Sequence, residues 1–151
     1  MIGRDNYCEN VKQFGYDDHD LGSFGTHVVW DASTLHVIPE GMKSEHAGPL
    51  MCGGVTVWGA LSVYNVRPTD RVGVIGVGGL GHLAIQFASK MGCEVVVFSG
   101  TESKREEALQ FGATEFYTTN GVKEFKGIKK INHLLITTNF QPDFSLYFHF
   151  P

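Results

Sequence analysis

The chain has 151 residues, 42% of them hydrophobic and 19% charged, which is enough apolar side chain for one core and too balanced a mixture for disorder. Twelve basic residues against 16 acidic ones give a formal net charge of −4, so the electrostatic drive toward nucleic acid is absent unless Lys and Arg cluster locally. No apolar run reaches membrane-spanning length and the start, Met1-Ile2-Gly3-Arg4-Asp5, has no hydrophobic signal core; neither nucleic acid nor membrane is expected as a partner, and a cytoplasmic location is.

In chain order, Gly25 to Trp30 and Thr34 to Ile38 are rich in β-branched and aromatic residues and end at Pro39-Glu40-Gly41, which predicts two short strands. Ser44 to Met51 and Val55 to Tyr64 predict helices separated by Gly53-Gly54 and closed by Arg67-Pro68-Thr69-Asp70. Val72 to Ile75 is a short apolar strand. From Gly79 to Met91 the apolar Leu80, Leu83, Ala84, Phe87, Ala88 and Met91 recur at steps of three and four, a helix that Gly92 should stop. Glu94 to Phe98, nearly all apolar, predicts a parallel strand covered on both sides. A helix from Ser103 to Gln110 ending at Gly112, a strand near Glu115 to Tyr117 and a fourth at His133 to Ile136 complete the pattern. The fold class is therefore α/β, a partial Rossmann fold of about four parallel, doubly wound strands. In an order of 3-2-1-4-5-6 the sheet would stop after strand four and leave it as an open edge.

Gly76-Val77-Gly78-Gly79-Leu80-Gly81 fits G-x-G-x-x-G between that first apolar strand and the amphipathic helix, the context in which the motif binds a dinucleotide. Gly76 permits the tight turn, Gly78 removes the side chain that would block a diphosphate, and Gly81 lets helix lie on strand while the helix amides face the anion. At the end of the second strand a carboxylate would receive the ribose hydroxyls of NAD; Ser99 stands there instead, and Lys104 and Arg105 open the next helix, where a bound phosphate would offset their repulsion from the helix dipole. This predicts NADP(H). Glu102 must then point away, and the competing reading is that Ser103 and Glu106 form a capping box while both cations face water.

Cys8, Cys52 and Cys93 are odd in number and widely separated, which suits reduced thiols or metal ligands better than disulfides. The chain holds no Cys-x-x-Cys or His-Glu string. Cys93 reads as a small core residue, His46 as a surface residue, and the remaining histidines form no ligand spacing.

Four strings, Asp5-Asn6-Tyr7-Cys8-Glu9, Pro49-Leu50-Met51-Cys52-Gly53-Gly54-Val55-Thr56-Val57, Arg71 to Leu83 and Ser103-Lys104-Arg105-Glu106-Glu107-Ala108, together resemble the cinnamyl alcohol dehydrogenase branch of the zinc-containing medium-chain alcohol dehydrogenases. The resemblance implies hydride transfer between NADPH and a small aldehyde, with zinc polarising the carbonyl oxygen. It implies that Cys52 is a ligand of the catalytic zinc and Cys8 of a structural zinc, that Thr56 lies beside the nicotinamide and that Thr137-Thr138 approach its ribose. Gly79, Leu80 and Ser103 join the coenzyme site by the same likeness. Residues 1–50 would be a remnant of a β-rich GroES-like catalytic domain and 51–151 the first half of the Rossmann domain. The other zinc ligands and the proton relay of the family pattern belong upstream of Met1, and the strands through which the family pairs belong after Pro151. The expected product is accordingly a chain with little activity of its own. The alternatives are a non-catalytic nucleotide-binding fragment and a zinc-free quinone reductase relative.

Overall fold

The computed structural model describes residues 7–147 apart from 14, 21 and 23. It divides into two compact units, Met1–Glu40 and Gly41–Pro151.

In the first unit the regular element is a 3-10 turn at Ala32–Thr34, capped by Asp31, whose carboxylate accepts from the Ser33 amide at 2.8 Å and the Ser33 hydroxyl at 2.7 Å. Those two bonds hold the Asp31 carboxyl below the usual carboxylate range. The strands expected at Gly25–Trp30 and Thr34–Ile38 are not formed. Both stretches are irregular, neither pairs with a neighbour among the described residues, and Val28, Val29, Trp30, Leu35, Val37 and Ile38 stay exposed. A β-branched run supplies half of a strand; a ladder supplies the other half.

The second unit is the α/β layer structure. A short helix α1 (Ser44–Ala47) runs into a 3-10 turn (Gly48–Met51), and α2 (Gly53–Val63) follows. The expected break falls one residue early, at the non-helical Cys52, and Gly53-Gly54 open α2 instead of separating the helices. A Cβ on Gly54 would meet the Leu50 side chain at 3.1 Å, so this glycine marks close packing of the preceding turn. Strand β1 (Arg71–Ile75) leads to α3 (Gly79–Met91), β2 (Glu94–Ser99), α4 (Arg105–Gln110) and β3 (Glu115–Thr118), and β4 (His133–Ile136) returns beside β1. Gly92 caps α3 at a φ of 96°, in the left-handed region expected of it.

All pairings are parallel in the order β3-β2-β1-β4, with Val72 opposite Val95 and His133, and Val97 opposite Phe116. Alternation along the strands divides the core. Val72, Val74, Val95 and Val97 pack under Leu61 of α2, Ala84, Ile85 and Ala88 of α3, and Ala108 of α4. Ile75, Val96 and Phe98 face the other way onto Ile128, Tyr147 and the partly buried Phe125 and Ile131. Every residue of β1 is buried, as a central parallel strand with both faces covered must be.

At the N-terminal edge of the sheet the guanidinium of Arg71, 5% exposed, meets Glu94 on β2 and Glu115 on β3; Glu115 Oε2 lies 2.8 Å from Nη2. Burial works against the Arg71 charge, but Glu115 and Glu94 more than restore it and raise its pKa. Arg71, with help from the Tyr117 hydroxyl 2.6 Å away, in turn holds the Glu115 carboxyl below its ordinary range.

Candidate functional site

At the opposite, C-terminal edge of the strands a cleft of about 620 Å³ opens between the glycine loop and the end of β2. Such a crevice, where strand order reverses between β2 and β4, is where open parallel sheets bind ligands. Its walls come from Gly76, Val77, Gly78 and Gly79 on one side, Ser99, Gly100 and Lys104 on another, and Thr137, Thr138, Phe140 and Tyr147 on a third.

The glycines of the loop serve different needs. Gly76 has a φ of 94°, donates its amide to the Phe98 carbonyl at 2.8 Å, and would place a Cβ 2.7 Å from Thr138 Cγ2. A Cβ on Gly81 would lie 2.0 Å from the Gly76 carbonyl oxygen, so the first turn of α3 rests directly on the strand end. Gly78 and Gly79 differ. A Cβ on either meets nothing within 4 Å, and Gly78 has an extended φ of −104° that other residues adopt. Neither packing nor backbone conformation requires glycine at these two positions, which leave bare backbone facing the cleft. No side chain caps α3, and its first amides have no acceptor within the helix. The cleft therefore fits a dinucleotide diphosphate.

At the far end of the cleft Ser99 is 7% exposed and terminates β2 without a carboxylate. Lys104 is the one basic residue lining the cleft among the described residues, with Nζ 2.7 Å from Glu107 Oε2. Arg105 turns elsewhere. Its guanidinium pairs with Glu102, donates to the Phe116 carbonyl at 3.2 Å and lies 4.8 Å from the centroid of the Phe116 ring, and it is not among the cleft-lining residues. The Ser103–Glu106 capping box does not form; the Ser103 hydroxyl stands 3.0 Å from that of Thr101, beside the cleft rather than lining it.

Thr56 and Leu80 line a second cavity of about 460 Å³ between α2 and β4, and Thr137 borders both cavities. Reading by motif missed Thr119, Phe140, Asp143 and Tyr147, which line the coenzyme cleft from segments with no glycine signature. Asp143 and Ser145 form the one available signal, a short Asx turn in which the Ser145 hydroxyl and amide hold the Asp143 carboxyl below its usual range.

Cys8 and Cys52 are exposed free thiols and Cys93 is buried, its pKa raised by burial and by Asp70. No group of three or more His, Cys, Asp or Glu side chains able to hold a metal occurs among the described residues. Zinc does not fit the residues described, and no chemical step is routed through it.

Residues 79–149 match the family model described as zinc-binding dehydrogenase. The chain is 36% identical over 148 residues to an aldehyde reductase from Synechocystis, an alignment covering 97% of this chain and 44% of the relative. It is 36% identical over 141 residues to a probable cinnamyl alcohol dehydrogenase from rice, covering 89% and 40% respectively. A solved structure of CAD from Helicobacter pylori, complexed with NADP(H), superposes with a TM-score of 0.59 at 34% identity, covering 66% of this chain and 27% of that one. Over these stretches the chain is similar to the zinc-containing medium-chain alcohol dehydrogenases. It spans less than half the length of these curated members of the family. The matched segment begins at the first residue of α3 and takes in β2, α4, β3 and β4, so the likeness covers most of the cleft walls.

Proposed function

We propose that this chain binds NADP(H) in the cleft above β1 and β2, and that the protein is an alcohol dehydrogenase working as an aldehyde reductase on a small substrate. The observation that carries the coenzyme reading is the pair Gly78 and Gly79, whose absent side chains leave open cleft where a diphosphate would lie. Gly76, Gly78, Gly79 and Gly81 shape the loop, Ser99 leaves room for a 2′-phosphate, and Lys104 supplies its counter-charge, with Ser103 and Arg105 flanking. Thr56 and Leu80 would border the nicotinamide end, with Thr137 standing between the two cavities. Bound NADPH supplies the hydride; the chain's own residues orient the coenzyme and exclude water from one face of it.

The relatives' names support aldehyde reduction as the reaction, and residues 51–151 would form the coenzyme part with 1–50 belonging to the substrate side. Cys52 would then be a ligand of a catalytic zinc and Cys8 of a separate structural zinc. No helix among the described residues is long and apolar enough to cross a membrane. On the aldehyde reductase reading the partner is a small alcohol or aldehyde and the location cytoplasmic.

Isothermal calorimetry tests the coenzyme reading. NADPH is expected to bind the chain at least about tenfold more tightly than NADH, the discrimination of about 1.4 kcal/mol that one well-placed charge provides. Equal affinities overturn the NADP reading, and no heat with either coenzyme overturns nucleotide binding.

A further inference from the structure

The geometry points to Thr137 as a positioning residue for the diphosphate loop, acting through a backbone peptide and not by contact with the nicotinamide ribose. The inference deepens the coenzyme reading above and rests on it. Thr137 follows the last residue of β4, and its amide donates to the Ile75 carbonyl at 3.0 Å, continuing the ladder to β1. Its hydroxyl turns the same way. Oγ1 stands 2.8 Å from the Ile75 carbonyl oxygen and 3.1 Å from that of Gly76, so its single proton is shared between two backbone acceptors and is not available to a ligand.

The second of those acceptors is the one that matters. The Gly76 carbonyl oxygen faces Thr137 and Gly81 of α3 together: a Cβ on Gly81 would lie 2.0 Å from that oxygen and 2.8 Å from Thr137 Oγ1. A trans peptide holds its C=O and N–H in opposite directions. Turning the Gly76 carbonyl onto β4 and α3 therefore turns the Val77 N–H away from them, on the side of the cleft that Val77, Gly78 and Gly79 line. The Thr137 hydroxyl is the group that fixes this peptide plane; Gly81 leaves the room for it. Without the hydroxyl, Gly76 at its positive φ has the freedom to rotate the peptide and withdraw the amide from the anion.

The test compares Thr137→Val, which keeps the shape and removes the hydroxyl, with Thr137→Ser, which keeps the hydroxyl. Each 151-residue chain is titrated with NADPH and with ADP, which carries a diphosphate but no nicotinamide riboside. Wild type binds both ligands on the reading above. T137V is expected to weaken NADPH and ADP by the same factor, about tenfold, the loss of one hydrogen bond that orders a charged contact, and T137S is expected to restore both. A T137V effect on NADPH that spares ADP shows direct contact with the riboside and overturns the inference. Equal affinities for the valine and serine variants also overturn it, with the coenzyme reading intact. Absence of binding by wild type overturns the coenzyme reading itself. If circular dichroism shows T137V to be unfolded, Thr137→Ala, which adds no methyl against the loop, replaces it with the same expectations.

Discussion

The two kinds of glycine in the loop can be told apart by substitution. Gly78→Ala introduces a methyl into open space at an ordinary φ, so its unfolding free energy should stay within about 0.5 kcal/mol of wild type or rise slightly through lost chain entropy. Its affinity for NADPH should fall about tenfold or more, because the methyl stands where the diphosphate must approach the backbone. Gly81→Ala should do the reverse of this in order of cause: a Cβ facing a backbone oxygen at 2.0 Å forces the helix off the strand, at a cost of about 1–3 kcal/mol or more. Urea unfolding and calorimetry on the two variants separate the effects. The cations divide in the same manner. Lys104→Ala should abolish the preference for NADPH over NADH, whereas Arg105→Ala should mainly lower stability, since that guanidinium is engaged with Glu102 and Phe116. Spacing alone reveals that two positive charges open the helix. It does not reveal that one of them folds back onto an aromatic ring eleven positions later in the chain.

Among the elements, β1, α3 and β2 are legible because each is an apolar run of the right period with glycine at or beside its end. The helix expected at Gly79–Met91 and the strand expected at His133–Ile136 coincide with α3 and β4. The first unit was misread because Val28, Val29 and Trp30 have the composition of a strand, and composition carries no information about a ladder partner. The break expected at Gly53-Gly54 lies at Cys52, and the glycines open α2, where Gly54 lets the preceding turn pack close. The ion cluster joining β1, β2 and β3 has no sequence signature at all, since Arg71, Glu94 and Glu115 are far apart in the chain and meet only through strand register. It gives the sheet an acid-sensitive edge. The Glu115 pKa is depressed by Arg71 and then by Tyr117, so the stability it contributes is complete above the ordinary value of 4.5 and is lost as the pH falls through the lower folded value. Thermal unfolding of wild type and Glu115→Gln between neutral pH and pH 3 checks this. The difference between them should be largest at neutral pH and shrink on acidification.

For the molecule taken whole, coenzyme should behave as a stabiliser that needs no metal. NADPH at about a hundred times its dissociation constant should add about 2.7 kcal/mol, seen as a rise of several degrees in Tm, and prior treatment with a chelator should leave that rise unchanged because no described metal-ligand group touches the cleft. Loss of the shift after chelation would mean that a metal supports the nucleotide site. The sheet order has one further consequence, for the chain as it is synthesised. Strands β1, β2 and β3 follow one another in sequence and can pair as they leave the ribosome, but β4, which covers the free edge of β1, arrives only with His133–Ile136. Nascent chains stalled ahead of that strand would hold the glycine string with its peptide unaimed, so capture of the coenzyme follows the arrival of β4, and ligand present during translation would act after that pairing and not as its template.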